Sequence, residues 1–238
     1  MENVNPIRSI GVLSYKVDSL KYRGRRAGYG NIVKIGNDIA IVTAAHCVYE
    51  IGIDKFNMDM NFSTVYEQLK DRIPIETAII HKKWGINHKI ECDTAFLLPR
   101  KGTYDSERYY SIASSIKEDF QFENHSEVFI TFVKGIINKR IKCVGLQGIQ
   151  ETLYENKMLG VKFKGKQGLS GSPWFCCENG EWEQITLTSS KLKSRKNTLW
   201  GPEWGSETKE ILNYVQSKKL DDQNLMIQKI RQERRNGI

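Results

Sequence analysis

The stretch that most restricts the fold is Asn31-Ile32-Val33-Lys34-Ile35, then Gly36-Asn37-Asp38, then Ile39-Ala40-Ile41-Val42-Thr43. β-Branched side chains are stiff at χ1 and pack well on a pleated surface. Gly-Asn-Asp between them supplies turn chemistry. The segment therefore predicts strand, turn and strand. Residues 73–80, 94–98, 128–133, 140–146, 159–163 and 184–188 repeat the pattern of short apolar or β-branched runs. Many short strands divided by turns predict a sandwich or barrel, not a parallel α/β sheet. Residues 99–124 are polar and irregular and read as a linker between two β units. From Ser206 the period changes. Ser206 with Lys209 and Glu210, then Ile211, Leu212 and Val215, predicts a capped amphipathic helix. Residues 220–235 are expected to continue as helix or to fray into a basic tail.

Composition bounds the function classes. The 238 residues allow one large domain or two small ones sharing a core, and 39% apolar residues exclude global disorder. The formal charge of +8 permits nucleic acid or acidic surfaces as partners. The basic residues are spread along the chain, which favours a solvated basic surface, except that Lys229, Arg231, Arg234 and Arg235 cluster near the end. The cysteines Cys47, Cys92, Cys143, Cys176 and Cys177 are odd in number with two adjacent, a poor disulfide framework. Reduced thiols, no secretory-type apolar core in residues 1–17 and no apolar run of about 18 residues predict a soluble, intracellular, cytoplasmic chain with no membrane span. Release from a larger precursor stays open.

The chemistry is concentrated in Gly165-Lys166-Gln167-Gly168-Leu169-Ser170-Gly171-Ser172-Pro173. A serine hydroxyl is a poor nucleophile until a base takes its proton and donors stabilise the oxyanion. Flanking glycines allow a tight turn that aims backbone N–H groups at a carbonyl. Of four histidines, His46 follows an apolar strand and small residues, where a loop can hold it at a cleft. His81 and His88 lie in a charged stretch and read as surface, as does His125. Asp93 opens the apolar run 95–98 and is the candidate carboxylate, with Glu91 its rival. Singly, each residue reads as structural or solvated. Together His46, Asp93 and Ser170 supply base, orienter and nucleophile in the chain order His, Asp, Ser.

Thr-Ala-Ala-His-Cys at 43–47, Asp-Thr-Ala-Phe-Leu at 93–97 and Gly-Leu-Ser-Gly-Ser-Pro at 168–173 resemble the three signature blocks of the chymotrypsin/trypsin-like serine peptidases. The resemblance covers about residues 25–215. It implies an all-β fold of two six-stranded antiparallel β-barrels with the site between them and a C-terminal α-helix. The expected division is 1–110 for the barrel carrying His46 and Asp93, 111–205 for the barrel carrying Ser170, and 206–238 for the helix and basic tail. Carried over, His46 is general base and acid, Asp93 fixes its tautomer, Ser170 attacks the scissile carbonyl, and the N–H groups of Gly168 and Ser170 form the oxyanion hole.

The chain also departs from that family. Zymogen-type members pair a new N-terminus with an Asp just before the nucleophile, where this chain has Leu169. No cysteine precedes Cys47 to pair with it, and Cys176 has no convincing partner. These gaps resemble the disulfide-free, non-zymogen side of the family, and Ser172 in place of the commoner Gly resembles viral polyprotein-processing (3C-like) proteases. The resemblance places Lys164, six residues before the nucleophile, at the base of the primary pocket, though solvent is an equal reading for it. Thr188, Ser189 and Ser190 would line the pocket wall. The expected specificity is cleavage after Glu or Gln. Trp174, Trp182, Trp200 and Trp204 read mostly as core, with substrate contact left open for Trp200 and Trp204.

The expected partner is a protein or peptide substrate, a polyprotein included. Two rival functions remain: a catalytically silent binding module on the protease scaffold, and nucleic-acid binding through the basic surface, for which no dedicated motif is present. Cys176 and Cys177 are adjacent rather than spaced C-x-x-C and have no nearby His, so no metal or cofactor is expected. The sequence leaves the oligomeric state open.

Overall fold

The computed structural model describes residues 8–18, 23–65, 72–120, 127–134, 140–153, 157–163, 168–190, 197–217 and 223–232. The first half contains strands β1 (Ile10–Asp18), β2 (Arg23–Ile35), β3 (Asp38–Thr43), β4 (Tyr49–Glu50), β5 (Lys55–Phe56), β6 (Met58–Thr64), β7 (Ile73–His81) and β8 (Ala95–Pro99). Strands β6, β1, β2, β3, β8 and β7 pair antiparallel in that order, and β7 pairs with β6 as well as β8, which closes a six-stranded barrel. Alternation drives it. In β1, Leu13, Tyr15 and Val17 are buried while Val12, Ser14 and Lys16 are partly exposed. Leu13, Ile32, Ile41, Phe62, Ile79 and Phe96 are wholly buried at the centre, each contributing about 1.5–3 kcal/mol of hydrophobic stabilisation.

The second half contains β9 (Ser115–Ile116), β10 (Glu127–Lys134), β11 (Arg140–Leu153), β12 (Met158–Lys162), β13 (Pro173–Glu178), β14 (Glu181–Leu187) and β15 (Thr198–Pro202). The sheet order is β15-β12-β11-β10-β13-β14-β9. Just beyond β14 the chain bridges back to β15 through Ser190 and Trp200, which brings the ends of the six main strands together. Val128, Ile130, Val161, Trp174, Ile185 and Leu199 form a second core, separate from the first.

A buried polar link joins the two halves. Asn31 of β2 is wholly buried, and its Nδ2 donates to Ser114 Oγ (2.6 Å) and to Gln184 Oε1 of β14 (2.8 Å).

The described residues also form three α-helices: α1 (Lys82–Gly85), α2 (Ser106–Ile112) and α3 (Ser206–Ser217). The helix expected from Ser206 is α3, and it buries Ile211, Leu212 and Val215 against the first barrel's core. Two expectations are corrected. The stretch 99–124 is not a plain linker, because α2 lies within it. Asp105 caps that helix by accepting from the Arg108 N–H (3.1 Å), and Tyr109 and Ile112 are buried. Its polar composition belongs to the helix's outer face. Nor do the described residues of the stretch 220–235, 223–232, continue as helix. Strand β16 (Leu225–Lys229) pairs antiparallel with β7 instead, where the unpaired edge of β7 outweighs weak helix propensity. Arg234 and Arg235 lie outside the described residues.

Candidate active site

Register brings the first two functional residues together. Thr43, the last residue of β3, pairs with Ala95, the first of β8. His46 lies on the 3-10 turn Ala45–Cys47 just after β3, and Asp93 follows the turn Ile90–Cys92 just before β8. The two turns therefore emerge side by side. Asp93 Oδ1 accepts from the His46 backbone N–H (2.9 Å), and Oδ2 lies 2.7 Å from His46 Nδ1. Ser189 Oγ donates to the same Oδ2 at 2.5 Å. Asp93 is 1% exposed, and these three contacts offset the cost of burying its charge. With Nδ1 turned to Asp93, Nε2 is the nitrogen left for proton transfer.

The imidazole's proton affinity is set by opposing effects. Burial, the largest single influence, favours the neutral ring. The charge and hydrogen bond of Asp93, with a further contribution from Cys47, outweigh it and hold the His46 pKa well above the ordinary histidine value. The ring is still 34% exposed and so open to a reactant.

Ser170 arrives from the other half. Its carbonyl accepts from the Tyr29 N–H of β2 (2.8 Å). The following residues lock the turn: Gly171 N–H donates to Thr188 O (2.8 Å), Ser172 N–H to Leu169 O (2.9 Å), and Thr188 N–H to Ser172 O (2.8 Å). Gly171 has φ +80, and a Cβ there would stand 2.1 Å from Tyr29 O and 2.6 Å from Thr43 Oγ1. Only glycine fits that approach. Gly28 of β2 lies between the two turns, since a Cβ on it would meet Cys47 Sγ at 2.7 Å and Ser170 O at 3.4 Å. One strand thus holds the turn of Ser170 against the turn of His46. The side chains of Ser170 and His46 share no hydrogen bond. The N–H groups of Gly168 and Ser170 donate to no described residue, and Gly168 adopts φ +92.

No protein-family model and no curated protein matches this chain. Solved structures do. A thermostable serine protease, AL20, from an extremophilic microorganism matches with a TM-score of 0.72 and 19% identity, covering 89% of this chain and 98% of that one. The protease Anisep from Arthrobacter nicotinovorans matches with a TM-score of 0.71 and 18% identity, covering 89% and 97%. A Glu endopeptidase matches with a TM-score of 0.67 and 13% identity, covering 91% and 94%. The fold is that of the chymotrypsin-like serine proteases.

Within this protease fold, several sequence expectations are relocated. The Ser189 hydroxyl is committed to Asp93. Thr188 is buried, and its Oγ1 accepts from Trp174 Nε1 (2.8 Å). Ser190 lies beside Trp200, its Oγ buried without a partner among the described residues. Lys164 and His125 lie outside the described residues. His81 is not a surface residue. It is 3% exposed, it caps α1 by accepting from the Lys83 N–H (3.1 Å), and its Nε2 faces Glu210 Oε2 at 3.3 Å. Trp200 and Trp204 are both buried, in keeping with a core role. Trp204 Nε1 donates to Thr94 Oγ1 (3.1 Å), which ties the approach to α3 to the residue after Asp93. That contact, like Ser189 on Asp93, has no local sequence signature.

Cys47, Cys92, Cys176 and Cys177 are free thiols. Burial pushes Cys92 up to about 12 and Cys176 up to about 11, which keeps both protonated and unreactive. Among the described residues no group of three or more His, Cys, Asp or Glu could hold a metal, and no helix is long and apolar enough to cross a membrane.

Proposed function

We propose that this chain is a serine endopeptidase using His46, Asp93 and Ser170. The observation that carries the reading is the doubly hydrogen-bonded Asp93–His46 pair, with Ser170's turn fixed to the strand between them. Ser170 Oγ attacks the scissile carbonyl carbon while its proton passes to His46 Nε2. Asp93 holds the tautomer and stabilises the imidazolium. The oxyanion is received by the N–H groups of Gly168 and Ser170, where losing one donor costs about 3 kcal/mol of transition-state stabilisation. The intermediate collapses as His46 returns the proton to the leaving amine. Water then attacks the acyl-enzyme with His46 again as base.

The proposal extends to cleavage after Glu or Gln. A net charge of +8 and Lys164 six residues before the nucleophile support an oxygen-bearing side chain in the pocket. One of the similar folds is itself a Glu endopeptidase. A reducing compartment and a polyprotein substrate belong to the same proposal, supported by the free thiols and by the Gly-Leu-Ser-Gly-Ser-Pro form.

Digestion of a peptide library by the chain and by Ser170→Ala tests it. The expected result is cleavage after Glu or Gln that the variant lacks. Cleavage mainly after Arg or Lys overturns the specificity. No cleavage by folded protein supports the binding-module reading instead.

A further inference from the structure

The C-terminal strand creates a cleft that the proposed proteolysis does not use. Strand β7 has β6 beside its first residues, through Asn61–Pro74 and Phe62–Ile73. It has β16 beside its last residues, Thr77 to His81. The start of β6 therefore splays away from β16. The gap between them and the β4–β5 hairpin is a cavity of about 590 Å³.

One wall is an edge to which no strand pairs among the described residues. β16 is terminal in its sheet. Ile230 N–H donates to Glu76 O of β7, and antiparallel pairing alternates, so Gln228 and Met226 also bond towards β7. The N–H and C=O groups of Ile227 and Lys229 must then point the other way, where the Gln228 side-chain amide, which donates to Lys229 O (2.9 Å), has to swing aside for a strand to pair there. The edge ends at Arg231, whose carbonyl is taken by the Asp59 N–H (2.9 Å). Lining residues run from Met226 to Arg231. At a rise of about 3.3 Å per residue, they offer room for roughly five extended residues.

Charge selects the occupant. Lys16, Lys55, Lys229 and Arg231 line the cavity against a single acid, Asp54. Lys55, Lys229 and Arg231 are exposed and have no carboxylate partner among the described residues. The floor between them is apolar, from Ile53, Phe56 and Met226. We infer that this cleft binds an extended acidic peptide, which adds to the free edge of β16 while its carboxylates meet the surrounding cations. Backbone pairing gives such a site affinity, and alternate side chains give it selectivity. The apolar floor and the strand edge favour a peptide over a nucleic acid, which would need neither. The basic cluster seen near the end of the sequence thereby acquires a role for Lys229 and Arg231.

The test uses the full chain carrying Ser170→Ala, so the outcome is independent of proteolysis. A fluorescein-labelled peptide alternating Glu and Val is titrated and followed by anisotropy. Its Lys-for-Glu counterpart and a version N-methylated at alternate residues are titrated in parallel. The expected result is saturable binding that weakens with salt. It falls about tenfold or more for the Lys counterpart, for the methylated peptide, and for protein carrying Lys55→Glu with Lys229→Glu. Both lysines are exposed, and an unchanged circular dichroism spectrum confirms that the variant folds. No binding of the Glu-Val peptide overturns the inference, as does equal affinity for the Lys counterpart or an unchanged affinity in the folded double variant. So does a single-stranded oligonucleotide that binds where the peptide does not.

Discussion

Ser189 Oγ donates to Asp93 Oδ2 at 2.5 Å, so a residue following the last strand but one of the second sheet completes the solvation of a carboxylate in the first barrel. Asp93 is then held by the His46 backbone, the His46 ring and Ser189 together. The carboxylate is fixed by both halves of the molecule, and its orientation depends on their relative placement.

Removing that donor has a defined cost. Ser189→Ala takes a hydrogen bond from a buried charge, a change of about 1.5–3 kcal/mol. Peptidase activity is expected to fall about ten- to a hundredfold through kcat with KM little changed, because 1.4 kcal/mol is a factor of ten in rate. Steady-state kinetics on the preferred peptide checks this. An unchanged kcat would show that Asp93 needs only His46 to hold its position.

The buried link Asn31–Gln184 joins the halves structurally. Asn31→Ala leaves Gln184 Oε1 short of a donor in a dry site, at about 2–3 kcal/mol. For a chain of this size, that lowers Tm by about 4–12 °C. Adding Gln184→Leu is expected to restore part of the loss, since the unsatisfied partner is then gone too. Calorimetry on the single and double variants measures the coupling.

The pH dependence follows from His46. Its folded pKa stands well above the ordinary value because Asp93 and Cys47 outweigh burial. Catalysis needs the neutral ring, so kcat/KM is expected to rise with pH through an inflection clearly above about 6.5. Asp93→Asn removes the charge and moves the inflection down. Stability runs the opposite way. A raised folded pKa contributes stability that is fully present below the unfolded value near 6.5, and it is lost as pH rises through the folded pKa. A pH–rate profile beside a pH series of denaturant midpoints tests both signs.

How much of this was readable beforehand varies by residue. The strands 31–43, 73–80 and 94–98 were legible because β-branched runs and turn residues are local signals. The meeting of His46 with Asp93 follows from the same signals, His46 coming after one such run and Asp93 before another. β1 carries an equally clear alternation at Leu13, Tyr15 and Val17. The partnership of Ser189 with Asp93 was not legible. Thr188, Ser189 and Ser190 look alike in sequence, and only tertiary placement selects which hydroxyl reaches a carboxylate 96 residues away. His81 was misread because the neighbouring Lys82 and Lys83 suggest a surface loop, whereas α1 turns Trp84 and His81 inward. β16 was misread because a five-residue strand followed by basic residues resembles a fraying helix until β7 offers it an edge.

The most direct test of the central claim is labelling with a fluorophosphonate probe, which reacts only with an activated serine. The full chain, Ser170→Ala and His46→Ala are treated alike and the modified residue is located by peptide mass analysis. The account predicts modification of Ser170, none in Ser170→Ala, and a loss of labelling rate in His46→Ala of about a thousandfold or more. Absence of labelling in a chain shown to be folded by cooperative unfolding would contradict it, as would labelling that survives Ser170→Ala.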